Sequence, residues 1–151
     1  MKKNLVCCFA FCFVSCYTKF QTVPMRYNYS NSVSFTIDKV EEGHTIAVGN
    51  GSYNSTRGSK FVFVYMTFTN ASQEKQDLNF HEFYLLNPRN RTKYGVEWAM
   101  MLGPVNVFAN LNSNIAKDDK KKRKLVFIFP EEDKAQMLMV KDSIVGIHYT
   151  N

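Results

Sequence analysis

Apolar and polar positions alternate along much of this chain, and the runs that do not alternate are short. Residues 33–40 (VSFTIDKV) place Val33, Phe35 and Ile37 on one face, the period-two pattern of a half-buried strand. Residues 44–48 read as a second short strand. Residues 49–58 (GNGSYNSTRG) hold three glycines among Asn and Ser, which predicts a loop. Residues 61–69 (FVFVYMTFT) are apolar on both faces and rich in β-branched and aromatic side chains, as a central sandwich strand requires. Further strands are predicted at 78–80 and 83–86, on either side of His81-Glu82, and at 93–94 after the turn Asn87-Pro88-Arg89-Asn90. The last three lie at 125–129 (LVFIF, stopped by Pro130), 136–140 and 144–149. The least regular stretch is 96–116, where residues 97–102 predict a short helix ended by Gly103-Pro104.

Seven or eight short strands, turns at intervals of about 8–12 residues and no sustained helical period predict an all-β fold, an antiparallel β-sandwich. A chain of 151 residues, 45% hydrophobic and 15% aromatic, can build one such core.

The N-terminus is of another kind. Lys2-Lys3 precede ten uncharged residues, 5–14 (LVCCFAFCFV). As a helix these rise about 15 Å, half of a ~30 Å bilayer core, which suits a secretory signal better than a membrane span. The boundary Phe13-Val14-Ser15-Cys16 resembles the bacterial lipobox, with Phe13 where leucine is usual. That resemblance implies cleavage after Ser15 and a lipid on Cys16. All four cysteines lie within the first sixteen residues, so the body of the chain has no thiol for a disulfide, a metal or a nucleophile. Residues 1–15 are expected to be the signal peptide, 16–32 a lipidated tether, and 33–151 the sandwich. Tyr17 stands where aspartate would favour inner-membrane retention, so the expected location is the bacterial cell envelope at the outer membrane.

The order of strand motifs adds a second resemblance. Lys60-Phe61-Val62-Phe63-Val64-Tyr65 is followed by Thr67-Phe68-Thr69-Asn70-Ala71-Ser72, then Phe83-Tyr84-Leu85-Leu86, a turn, Tyr94 and a late Leu125-Val126-Phe127-Ile128-Phe129-Pro130. Over residues 45–149 this resembles the extracellular domains of bacterial lipoproteins related to secreted immunoprotective antigens. The resemblance implies an immunoglobulin-like sandwich of seven to eight strands and offers no enzymatic site. Where that family has a glycine-containing turn before the late strand, this chain has Asp118-Asp119.

Charge narrows the partners. The formal charge of +6 becomes +4 once Lys2 and Lys3 leave with the signal, and residues 117–124 (KDDKKKRK) alone carry +4. The remainder is balanced, unlike a nucleic-acid binder with a basic face. Lys120, Lys121, Lys122, Arg123 and Lys124 are therefore read as a solvated loop and strand edge, or as a contact for a polyanion or glycan. Trp98 is read either as a plug across the sandwich or as an exposed patch with Tyr94 and Phe108, open to an envelope protein or glycan. The recognition loops expected are 49–58, 96–116 and 117–124.

Catalytic chemistry finds little support. His44, His81 and His148 show no metal-ligand spacing, and a hydrolase would need one of them beside a carboxylate in a concave pocket. The methionines, with Met137 and Met139 on one strand face, read as core filler rather than a copper site. No nucleotide-binding motif occurs, and no cofactor or metal is expected. The Asn-x-Ser/Thr triplets at Asn28, Asn50, Asn54, Asn70 and Asn90 are read as by-products of an Asn- and Ser-rich chain.

Overall fold

A computed structural model describes residues 18–22, 25–103 and 106–150 of the chain. The expected signal peptide and Cys16 lie outside the described residues. The strands, in order, are β1 (Thr18–Thr22), β2 (Arg26–Asn28), β3 (Val33–Gly43), β4 (Thr45–Val48), β5 (Gly51–Asn54) and β6 (Ser59–Asn70). After them come β7 (Gln76–Asn79), a 3-10 turn (Phe80–Glu82), β8 (Phe83–Leu86), β9 (Lys93–Gly95), β10 (Trp98–Met101) and β11 (Val107–Ala109). The last are β12 (Asn112–Ile115), β13 (Lys120–Pro130), β14 (Met137–Val140), β15 (Ser143–Gly146) and β16 (Tyr149–Thr150).

An eight-stranded sheet runs β11-β10-β13-β6-β3-β1-β16, with β2 also paired to β3. A four-stranded sheet runs β15-β14-β8-β9, and β12–β7 and β4–β5 form two ribbons. Every pairing given for the described residues is antiparallel, which fits the expected all-β sandwich.

The main core follows from alternation. Val62, Val64, Met66 and Phe68 of β6 face inward with Leu125, Phe127 and Phe129 of β13. Facing them are Phe83 and Leu85 of β8 and Leu138 and Val140 of β14. On β3 the inward set switches from odd to even numbers, from Val33, Phe35 and Ile37 to Val40. The register shift between Ile37 and Lys39 causes this: one inserted residue, Asp38, resets the side-chain phase, as a β-bulge does. The intervening residues of β6 point outward, and there a smaller apolar cluster forms from Phe61, Phe63, Val126, Met100 and Ile46. Ile46 comes from the β4–β5 ribbon, which thus roofs part of the outer face. Gly49 at the tip of that ribbon takes φ +56, a left-handed conformation suited to glycine.

Five expectations need correction. Residues 97–102 do not form a helix: Trp98–Met101 is strand β10, hydrogen-bonded between β11 and β13, because the pairing supplied by β13 outweighs a weak local helix preference. The expected loop 49–58 contains strand β5, and the expected basic loop 117–124 is strand from Lys120 onward. The segment expected as a tether contributes β1 and β2, both paired with β3. Trp98 does not plug the sandwich; it packs in the outer-face cluster. The turn before β13 also shows how it does without glycine. Asp118 itself takes φ +50, and aspartate is among the few residues that tolerate this region.

Candidate functional site

The outer face of the large sheet carries both features that could recognise something. The first is aromatic. Met100 lies opposite Phe108 on β11, and Trp98 lies two residues before Met100 on the same face of β10. The Trp98 ring meets Phe108 at 5.8 Å, Phe61 at 5.8 Å and Tyr53 of β5 at 5.4 Å between centroids. Tyr53 and Phe108 approach each other edge-on at 6.2 Å. Tyr53 remains 48% exposed and Phe108 40%, and Met101, Leu102 and Val107 are exposed beside them. Of the three residues expected to form a patch, Trp98 and Phe108 come together, but Tyr94 does not join them. Tyr94 lies on β9 in the other sheet, 5.0 Å from Phe129 of the main core. Tyr53 takes its place. In the sequence it sits in a Gly- and Asn-rich stretch that reads as loop, and only the fold-back of β4–β5 brings it across.

The second feature is a polar cavity of about 220 Å³ lined by Glu41, Ile46, Phe63, Tyr65, Asn106 and Lys124. Strand register builds its floor: Lys124 and Lys39 lie on either side of Tyr65, and Glu41 lies opposite Phe63. Glu41 accepts from Lys39 Nζ at 2.9 Å and from the Tyr65 hydroxyl at 2.5 Å. Lys39 Nζ also stands 4.2 Å above the Tyr65 ring. Lys124 Nζ donates to Asn106 Oδ1 and stands 5.6 Å from the Phe63 ring centre. Asn106 Nδ2 in turn donates to the Ala47 carbonyl at 2.8 Å, tying the roof to the β4–β5 ribbon. Lys124 is only 6% exposed and Glu41 7%. Burial pushes the Lys124 ammonium below the usual lysine range; Glu41 draws it back up and Lys39 adds to the lowering.

The basic run is therefore split by the strand on which it lies. Lys120 and Lys122 are exposed, Lys121 and Arg123 are half-buried on the opposite face, and Lys124 is buried. Lys121 Nζ donates to the Asn114 carbonyl, and Arg123 Nη1 to the Lys122 carbonyl at 2.8 Å. Burial lowers the pKa of Lys121, with Arg123 adding to the effect, and burial alone lowers that of Arg123. A continuous five-residue polyanion contact does not fit this geometry, since alternation turns two side chains away and the roof covers a third.

One histidine does meet a carboxylate. His44 Nε2 lies 3.4 Å from Glu131 Oε1 and its Nδ1 lies 3.1 Å from Ser55 Oγ. The His44 and Glu131 side chains are 60% and 45% exposed and line neither cavity wall described above. A serine nucleophile needs a base shielded from water and an oxyanion site, and this exposed edge supplies no shielding. Among the described residues, no group of three or more His, Cys, Asp or Glu is placed to hold a metal. Among the same residues, no helix is long and apolar enough to cross a membrane.

Comparison with known proteins places this geometry in a wider group. The model of one family, described as a domain of unknown function (DUF4352), matches residues 28–148. No curated protein matches the chain. Among solved structures, a conserved hypothetical protein from Bacillus anthracis is 14% identical; the match covers 87% of this chain and 97% of that one, with a TM-score of 0.63. An uncharacterized β-sandwich protein from Clostridium difficile is 15% identical, with 76% and 81% covered and a TM-score of 0.52. A functionally unknown protein from Listeria monocytogenes is 11% identical, with 83% and 73% covered and a TM-score of 0.50. At such identities the likeness carries the fold alone. None of these matches indicates a catalytic family.

Proposed function

The chain belongs to the DUF4352 family of domains of unknown function, and we propose that it is a non-catalytic binding module of the bacterial cell envelope. In this reading a lipid on Cys16 holds it to the membrane, and the Tyr53–Trp98–Phe108 surface contacts a protein partner. The observation that carries the reading is the exposed aromatic group on the outer sheet face. Rigid aromatic anchors lose little conformational entropy and bury much area, so they suit recognition better than scattered aliphatic residues do. The likeness of the strand motifs to lipoproteins related to immunoprotective antigens supports the same reading.

A photo-crosslinking amino acid at Phe108, in envelopes from cells expressing the full chain, is expected to give a discrete adduct that survives high salt. The same probe at Ile144, which is 53% exposed on the other sheet, is expected to give none. Equal adducts at both positions, or none at Phe108, would remove this surface as the contact.

The anchor has a separate consequence. Metabolic labelling with an alkyne fatty acid should mark the wild type and leave Cys16→Ser unmarked, and fractionation of the labelled envelope should place it in the outer membrane, as Tyr17 implies. Equal labelling of both proteins would sink the anchor. Strand β1 begins at Thr18, two residues after Cys16, a reach of at most about 7 Å. Thr18 pairs opposite Glu42, whereas Lys120 lies at the other end of the sheet, opposite Thr69. Seven residues of β6, roughly 24 Å at 3.4 Å each, separate those two levels. For Lys120 that exceeds the ~8–10 Å screening length of physiological salt, so in this reading Lys120 does not serve the headgroups beside Cys16.

A further inference from the structure

We infer that the protein partner of the aromatic surface is a second copy of this chain, added edge to edge along β11; the inference rests on that surface being a contact, as proposed above. Strand β11 (Val107–Ala109) ends the large sheet. It pairs with β10 on one side, and the described residues give it no strand on the other. An edge strand leaves the N–H and C=O groups of alternate residues unpaired, and these accept another strand unless charge or proline blocks the approach. Other edges of this fold carry such guards. Strand β2 has Arg26, β9 has Lys93, and β15 follows directly on Lys141-Asp142. Strand β11 has neither charge nor proline, and its Val107 is 44% exposed. Residues 98–116, which span β10, β11 and β12, hold no Asp, Glu, Lys, Arg or His in a chain that is 21% charged.

That absence of charge favours like on like. Across a two-fold axis each group meets its own symmetry mate, so a charge there would oppose an identical charge. A contact with a different protein commonly selects its partner through complementary charges, and residues 98–116 offer none. Antiparallel pairing of two β11 strands about Phe108 sets Val107 of each copy opposite Ala109 of the other and brings the two Phe108 rings together. The outer faces of both copies then lie on one side of a continuous sheet. The two Tyr53–Trp98–Phe108 groups become one apolar surface across the seam. Backbone pairing over three residues fixes the register, and the rings supply the apolar area that holds it.

A photo-crosslinking amino acid in place of Phe108, in the full chain purified in detergent, should trap an adduct of twice the mass of the chain. The adduct formed in envelopes should have the same mass. An envelope adduct of any other mass, with no doubled species in either preparation, would keep the aromatic surface as a contact and overturn the self-pairing. No adduct in either preparation would remove both.

Val107→Lys sets like charges across the seam and should cut the doubled adduct at least about tenfold. Val107→Glu should do the same. Ile144→Lys, a like change at an exposed apolar position on β15, should leave the adduct unchanged. An equal mixture of the Val107→Lys and Val107→Glu chains should recover it, because the two side chains lie diagonally across the seam and attract. Recovery would also show that both variants fold. A doubled adduct that survives Val107→Lys, or a mixture that recovers nothing, would overturn the proposal.

Discussion

Replacing Phe83 by alanine is expected to destabilise the sandwich by about 3–5 kcal/mol, the usual range for a buried phenylalanine. Phe83 opens β8 in the smaller sheet and is fully buried. Its ring meets Phe35 at 6.0 Å and Phe68 at 5.9 Å, both in the larger sheet. It also meets Phe80 at 5.9 Å and Tyr29 at 5.7 Å. Four ring contacts from three separate segments converge on one side chain, so truncation leaves a cavity that no single strand can collapse to fill. Edge-on pairs such as Phe83–Phe68 add about 0.5–1.5 kcal/mol beyond the area they bury. Domains of this size are stable by roughly 5–15 kcal/mol, so the variant should sit near the edge of folding. Phe83→Leu retains most of the volume and should cost about 1.5 kcal/mol or less. Urea unfolding followed by Trp98 fluorescence measures both. A loss below about 1 kcal/mol for the alanine variant would mean that the two sheets are held together elsewhere.

Asn70→Ala should cost about 2–3 kcal/mol, the range for leaving buried hydrogen-bonding groups without partners. Asn70 ends β6 and is 1% exposed. Its Nδ2 donates to the Glu74 carbonyl at 2.7 Å and to the Ala116 carbonyl at 2.9 Å. Its Oδ1 accepts from the Ser72 amide at 2.9 Å and the Ser72 hydroxyl at 2.8 Å. One side chain thus clamps the turn after β6 to the segment entering β13. Asn70→Asp should be no better, because it keeps the acceptor but sets a carboxylate against two carbonyl oxygens. Hydrogen exchange separates this clamp from a general packing role. The Ser72 amide should exchange faster in Asn70→Ala while amides in the middle of β6 change only with global stability. An unchanged Ser72 amide would rule the clamp out. The asparagine stands at the end of the strand motif FVFVYMTFTN, so its position is visible in the sequence, whereas its partners 46 residues away are not.

Most strands were legible because their signals are local. Alternation places Val33, Phe35 and Ile37 on one face whatever the neighbours do, and the apolar runs 61–69 and 125–129 are buried wherever they fold. Their ends were less legible. Strand β13 starts at Lys120, five residues before its apolar run, because β6 offers an unbroken ladder from Thr69 to Ser59 and backbone pairing does not depend on side-chain polarity. The same ladder explains why a stretch composed like a loop became a strand that turns its lysines to opposite faces. Strand β10 has no local signal for a related reason. Glu97 to Leu102 carries no β-branched residue, and only the edge of β13 recruits it into the sheet.

The candidate site divides in the same way. Local pattern sufficed for the all-β class, the inward faces of β6 and of the apolar half of β13, and the absence of thiols beyond Cys16. Periodicity, turn residues and composition are properties of neighbouring positions, and they survive any arrangement of the rest. The tertiary structure alone decided that Tyr53 replaces Tyr94 beside Trp98, that Asp38 bulges, and that Lys124 is a buried ammonium rather than one more solvated lysine. Those outcomes depend on which distant segment lies across the sheet: a ribbon at 45–54 and an asparagine at 106 remove water from a lysine at 124. Burial is set by what covers a residue, and a charge changes its chemistry only once it is covered.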